Sequence, residues 1–171
     1  MPHRTTRRRF LQTAAGVIGF WGGLSRASDR KAANDKLNLG IIGVAGRGAA
    51  NLEAVSSEAI VALCDVDENY LGSVRQRFPH AQVYTDFRRL LDQKGLDAVV
   101  ISTPDHTHAP ATVMALKAGL HVYCEKPLTH TVHEARVVAE TAAKQKRVTQ
   151  MGTQIHAGSN YRRVVELIQA G

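Results

Sequence analysis

The chain has 171 residues, 44% of them hydrophobic, and carries 22 Lys and Arg against 15 Asp and Glu for a formal net charge of +7. Two cysteines are too few for a disulfide framework or a zinc site. The basic balance would suit a polyanion, but Arg4, Arg7, Arg8, Arg9 and Arg26 precede residue 28, and the 17 basic and 15 acidic side chains beyond leave only +2. No basic patch interleaved with aromatics occurs there, which excludes nucleic acid as a partner.

Thr6-Arg7-Arg8-Arg9-Phe10-Leu11 opens the chain with paired arginines, followed by a mild apolar segment from Thr13 to Leu24. That segment is too short to span a bilayer, which takes ~20 apolar residues. With Ser25-Arg26-Ala27 as a small-x-small cleavage site, residues 1–27 have the form of an export signal. They resemble a twin-arginine (Tat) signal, which implies a periplasmic protein with no stable membrane anchor after processing. An amphipathic basic arm is the alternative, and the apolar character on every side after the arginines argues against it. Residues 28–36 (SDRKAANDK) are polar and read as a flexible lead-in.

Residues 37–156 are expected to form one α/β domain. Leu39, Ile41 and Ile42 make a buried strand that breaks at Gly43, and a helix follows from Arg47 to Ser56. Strand, glycine turn and helix form an anion site, because the first helical N–H groups lack internal partners and the helix dipole favours negative charge. In the dinucleotide fingerprint G-x-G-x-x-G, Gly43 and Gly48 fill the first and third places, while Ala45 holds the second and Gly46 lies beside it. A second strand, Ala59 to Leu63, leads to Asp65, at the distance expected for the acid that binds a ribose 2′-OH. The plain alternative for Asp65 is a helix cap, since Asp67 and Glu68 also precede a helix.

That helix runs from Glu68 to Phe78 and is stopped by Pro79. Val83-Tyr84 is a short strand, and Asp86 caps a helix carrying Phe87, Leu90 and Leu91 that ends at Gly95. Asp97 to Ser102 is a core strand, Thr107 to Ala118 a helix and His121 to Cys124 a fifth strand. Thr131 to Lys146 is a long helix with Ala135, Val138, Ala139 and Ala142 on its inner face. Val148 to Met151 is a sixth strand, and Asn160 to Ala170 a last helix. Such alternation predicts a Rossmann-like, doubly wound parallel sheet, about six strands over ~130 residues, large enough to bury its own core. Cys64 and Cys124 each end a buried strand and are expected to be free thiols acting as small hydrophobes.

Ligands of such sheets bind beyond the carboxyl ends of the strands. There the Gly43–Gly48 loop, Asp65, Thr103-Pro104-Asp105-His106-Thr107-His108 and Glu125-Lys126-Pro127 converge. A lysine at a strand end, beside a nicotinamide ring, would hydrogen-bond a substrate hydroxyl and favour the alkoxide-like transition state of hydride transfer. Taken alone, Lys126 reads better as a surface partner of Glu125.

The order of Thr103-Pro104, His108, Ala118-Gly119-Leu120-His121-Val122 and Glu125-Lys126-Pro127 resembles the Gfo/Idh/MocA oxidoreductase family, which carries T-P-N-x-x-H, A-G-K-H-V and E-K-P behind a glycine-rich turn. The resemblance runs from Leu37 to about Gly171. It implies that Lys126 is the catalytic-site residue, that Pro127 shapes the turn holding it, and that Gly43, Ala45, Gly46, Arg47, Gly48, Asp65, Thr103, Pro104, His108 and Glu125 line the cofactor. It further implies NAD as cofactor (NADP being the alternative), a carbohydrate-like substrate (sugar, polyol or cyclitol) and a homo-oligomeric full-length protein. Gln154 and His156, beyond the sixth strand, are substrate-side candidates on the same ground. The chain departs from the pattern at Ala45, Asp105 and Leu120.

No metal is expected: His106 and His108 stand at i, i+2 on a turn, without H-E-x-x-H or Cys–His spacing. His108 is expected to start its helix and line the cleft. Residues 157–171 correspond to the first helix leading into a second α/β domain absent from this sequence. Two other readings stay open. Some relatives use bound NAD in redox-assisted glycoside cleavage, a branch without E-K-P, so Lys126 counts against it. A non-catalytic dinucleotide-binding module is the other.

Overall fold

The computed structural model describes residues 36–171; the signal and most of the lead-in lie outside the described residues. Six strands, β1 (Asn38–Ile42), β2 (Ala59–Cys64), β3 (Gln82–Tyr84), β4 (Ala98–Ile101), β5 (His121–Glu125) and β6 (Thr149–Gly152), form one sheet in the order β3-β2-β1-β4-β5-β6. Every pairing is parallel. The order reverses between β1 and β4, so the crevice of a doubly wound sheet opens beyond the ends of those two strands.

Strand alternation sends side chains to two cores. Leu39 and Ile41 of β1, Leu63 of β2 and Val100 of β4 pack with Leu52 and Leu71 on one face. Ile42, Cys64, Val99, Ile101 and Cys124 pack with Leu90 and Leu116 on the other. The covering helices are α1 (Arg47–Ala54), α2 (Glu68–Arg77), α3 (Phe87–Leu91), α4 (Asp105–Lys117) and α5 (Val132–Gln145). Asp67 caps α2 and Asp86 caps α3, each accepting from a backbone N–H two residues on. A capping box starts α5: Thr131 Oγ1 accepts from the Glu134 N–H, and Glu134 Oε2 from the Thr131 N–H.

Three details differ from expectation. Helix α4 begins at Asp105 rather than Thr107, because the Thr107 N–H and hydroxyl both turn back to the Pro104 carbonyl and close the first turn early. On α5 the buried stripe is Val138 with half-buried Val137, Thr141 and Ala142, while Ala135 and Ala139 are exposed. The branched side chains remove more apolar area from water than the alanines do, and they set the helix rotation. Edge strand β6 runs from Thr149 to Gly152, leaving Val148 exposed before it. A 3₁₀ turn (Gln154–Ala157) and α6 (Ser159–Ala170) follow; α6 has no buried side chain and exposes Leu167 and Ile168. Cys64 and Cys124 are free and buried. Among the described residues no helix is long and apolar enough to cross a membrane.

Candidate functional site

The glycine loop is fixed by steric limits. Gly43 has φ +87°, and its N–H donates to the Cys64 carbonyl at 2.8 Å. A Cβ at Gly43 would lie 2.6 Å from the Ser102 carbonyl oxygen, and one at Gly48 only 2.1 Å from the Gly43 carbonyl oxygen. The first turn of α1 therefore sits directly on the end of β1, with no room for a methyl in the cradle. Gly46 differs, since a Cβ there would meet open space and only its φ of +54° favours glycine. Ala45, at the middle place of the fingerprint, lines the cleft.

Asp65 follows β2 and is oriented by backbone on both sides. Oδ2 accepts from the Val44 N–H at 2.9 Å and Oδ1 from the Asp67 N–H at 3.1 Å. Each oxygen keeps lone-pair capacity for a further donor. Gly43, Ala45, Asp65, Thr103 and Pro104 come together around one cleft of about 640 Å³, a volume within the ~300–1,000 Å³ of small-molecule and cofactor sites. Its other walls include Val66, Tyr70, Thr85, Asp86, Phe87, Arg88, Ser102, His106 and Thr107. His106 and Thr107 belong to the strand-end segment read from the sequence; sequence reasoning did not place the others at the site. The strand-end rule reaches Thr85 and Asp86 once β3 is accepted as a sheet member; Tyr70, on α2, has no sequence signal. Arg88 is engaged locally, its Nε 2.9 Å from Asp86 Oδ1, a pairing that holds the Asp86 carboxyl below its usual range.

At the same strand-end edge, but outside the lining of that cleft, stands Glu125, the last residue of β5, which is 4% exposed. Its Oε1 accepts from Asn51 Nδ2 at 2.8 Å, Arg47 Nε at 3.2 Å, the Tyr123 hydroxyl at 3.3 Å and Gln154 Nε2. Burial pushes the Glu125 carboxyl up, but the bonds from Asn51, Gln154 and Arg47 outweigh it and hold the group below its usual range. Asn51, buried on α1, also donates to Ser102 Oγ at 2.8 Å and is a residue sequence reasoning did not single out. Through Arg47 and Asn51, the helix that closes the glycine loop is tied to the E-K-P segment.

Lys126 is exposed and makes no hydrogen bond or ion pair with another described residue. It does not pair with Glu125, whose carboxylate faces the Asn51 side. The Lys126–Pro127 peptide is cis. His108 does not line the cleft: it is 1% exposed, and both ring nitrogens face backbone carbonyls. Gln154 joins the Glu125 cluster. His156 is exposed, with its ring 5.5 Å from that of Tyr161 on the α6 side. Among the described residues no group of three or more His, Cys, Asp or Glu is placed to hold a metal ion.

A six-stranded parallel sheet with a methyl-excluding glycine cradle at its switch point, and an acid closing the neighbouring strand, defines a dinucleotide-binding Rossmann domain. The model of the Gfo/Idh/MocA oxidoreductase family, NAD-binding Rossmann fold, matches residues 37–153, and the chain belongs to that family.

Among relatives, an inositol 2-dehydrogenase of Salmonella paratyphi B is 30% identical over 141 residues, covering 79% of this chain and 42% of that protein. A glycosyl hydrolase family 109 protein of Shewanella putrefaciens is 30% identical over 149 residues, covering 80% and 32%. The crystal structure of myo-inositol 2-dehydrogenase from Lactobacillus plantarum superposes with TM-score 0.75 at 26% identity, over 80% of this chain and 42% of that one. The chain thus spans 32% to 42% of the length of these relatives.

Proposed function

We propose that this domain is the cofactor-binding part of an NAD-dependent oxidoreductase that moves hydride to or from a sugar, polyol or cyclitol, with Lys126 as its catalytic residue. The observation that carries the reading is an unpaired lysine on the turn after β5, at the sheet edge that also holds the glycine cradle. The residues fit a dinucleotide, because a Cβ would fill the cradle at Gly43 and Gly48. The first N–H groups of α1 would meet the pyrophosphate, and Asp65 would accept from the adenosine ribose. When bound, the nicotinamide cofactor supplies the hydride acceptor or donor. The Lys126 ammonium donates to the reacting hydroxyl and stabilises negative charge as it develops on that oxygen.

Preference for NAD over NADP is supported by Asp65, which would repel a 2′-phosphate, and by the engagement of Arg47 with Glu125 and of Arg88 with Asp86. In a full-length protein of the relatives' size, the substrate wall, the partners of Lys126 and the homo-oligomer surface would come from a second domain, residues 157–171 being its first helix. The domain alone would bind dinucleotide without turnover. Residues 1–27 would send the protein to the periplasm by the twin-arginine route.

A glycosidase reading has the family 109 relative in its favour. One experiment separates the two: full-length protein is given NAD⁺ with a panel of cyclitols and polyols, and p-nitrophenyl glycosides in parallel. Accumulating NADH is the expected result; glycoside cleavage without net NADH would overturn it. The export reading is tested by replacing Arg7 and Arg8 with lysine, which should keep the protein inside the cell. Unchanged periplasmic recovery would refute it.

A further inference from the structure

We propose that Asp86 is a second determinant of cofactor choice: it holds Arg88 in the cleft shared with Asp65 and cancels its charge, and without it Arg88 becomes a ligand for a 2′-phosphate. The proposal rests on the dinucleotide-binding reading above, with the adenosine ribose at Asp65. The two strand ends are neighbours because β3 pairs with β2. Cys64 stands opposite Tyr84, and the Asp65 N–H donates to the Tyr84 carbonyl at 3.2 Å. The chain therefore leaves β3 beside Asp65, and Asp65, Asp86 and Arg88 line one cleft.

Arg88 is held there twice. Its Nε lies 2.9 Å from Asp86 Oδ1 and 3.1 Å from Oδ2, and its Cζ is 5.7 Å from the centre of the Phe87 ring. Phe87 in turn packs against the core, so the guanidinium rests on an anchored face. Neither contact uses the Nη groups, which make no hydrogen bond or ion pair with another described residue. A guanidinium fixed at Nε with both Nη groups open keeps the planar fork that suits a phosphate.

Charge keeps it from acting so. Among Asp65, Asp86 and Arg88, two carboxylates stand against one guanidinium, which leaves one net negative charge where a 2′-phosphate would enter. A ribose hydroxyl is neutral and meets no such repulsion; it donates to Asp65. Removing the charge of Asp86 balances the remaining pair and gives the Arg88 fork to the incoming phosphate, while the hydroxyl contact of Asp65 is untouched. Because Arg88 is exposed, water and salt screen the effect, which is a matter of a few fold in affinity rather than of decades.

Dissociation constants of NADH and NADPH, measured by calorimetry on the full-length protein, test this. Asp86→Ser removes the carboxylate but keeps a hydroxyl to cap α3. It should tighten NADPH about three- to tenfold and leave NADH within about twofold. Adding Arg88→Ala should abolish the gain. Arg89 also adds positive potential at Asp86, and the double variant separates it from Arg88. An unchanged NADPH constant in Asp86→Ser overturns the proposal. So does a gain that survives in the double variant, since Asp86 would then act by repulsion alone. Should Asp86→Ser fail to fold, Asp86→Asn, which keeps the cap and the shape without the charge, carries the same test in the same direction. A wild-type protein that binds neither nucleotide would instead remove the dinucleotide reading, and with it the choice at issue.

Discussion

Around Asp65 the crevice is made of backbone: two N–H groups orient the carboxylate, and two glycines bring α1 onto the end of β1 at distances no side chain tolerates. Around Lys126 the same strand-end edge is made of side chains, with Asn51, Arg47, Tyr123 and Gln154 gathered on one oxygen of Glu125 and a lysine left to solvent. The first end is fixed by main-chain contacts. The second is anchored on its inner side by the Glu125 cluster and leaves Lys126 exposed. A site divided this way separates holding a ligand from acting on one, and the two functions are expected to respond to different substitutions.

The largest test crosses the two ends. Lys126→Ala, made in the full-length protein, should lower kcat/KM by about 10²–10⁴, the range for a positioned acid–base group, with NAD affinity within a few fold. Asp65→Ala should do the opposite. Loss of a charge-assisted hydrogen bond of about 1.5–3 kcal/mol weakens NAD binding ~10–10²-fold while turnover at saturating cofactor stays near wild type. Calorimetric Kd values beside steady-state kinetics decide it. If both variants lose the same parameter, the division is wrong.

How much of each end could be read from residue types follows the same line. The Asp65 end is local: a strand, a glycine turn, a helix start and an acid one strand later are close in sequence, and their steric needs name the residue types. Thr85 to Arg88 escaped because they belong to the cleft only through the pairing of β3 with β2, a contact between distant parts of the chain. The Lys126 end is non-local throughout. Asn51 reaches Glu125 across 74 residues, and nothing in its neighbourhood distinguishes it from any polar helix residue. His108 was expected at the cleft because its motif lies at a strand end. The helix starts two residues early, and its turn carries the ring inward to Thr103 and Pro127 while His106 takes the cleft position.

A smaller effect probes the Glu125 anchor by pH. The folded Glu125 carboxyl lies below its unfolded value, because the bonds from Asn51, Gln154 and Arg47 overcome burial. Its ionised form therefore stabilises the fold above the ordinary carboxylate value of ~4.3, and that contribution is lost as pH falls through the lowered folded value. Glu125→Gln should cost about 1–3 kcal/mol near neutral pH, the range for a disturbed buried hydrogen-bond cluster, and should flatten the acid limb of a denaturant-midpoint profile. A variant with the wild-type midpoint and the wild-type acid limb would show that the cluster does not anchor this end.

The smallest effect belongs to Ala45, where the chain departs from the fingerprint. The glycine normally found there lets backbone approach a pyrophosphate closely, and in this protein a methyl faces the cleft instead. The cradle itself is intact, since the contacts that forbid a Cβ are at Gly43 and Gly48. The methyl therefore takes space from the ligand without displacing protein, and its removal should let the pyrophosphate settle a few tenths of an ångström nearer the α1 N–H groups. Against this, glycine adds unfolded-state freedom worth ~0.4–1 kcal/mol. Ala45→Gly should thus tighten NAD by about two- to fivefold, at most ~1 kcal/mol, with a small drop in thermal stability of the ligand-free protein. Unchanged affinity would mean that the methyl already lies outside the pyrophosphate's reach. A loss of affinity would mean that Ala45 makes a contact the dinucleotide uses, and that the Asp65 end is not made of backbone alone.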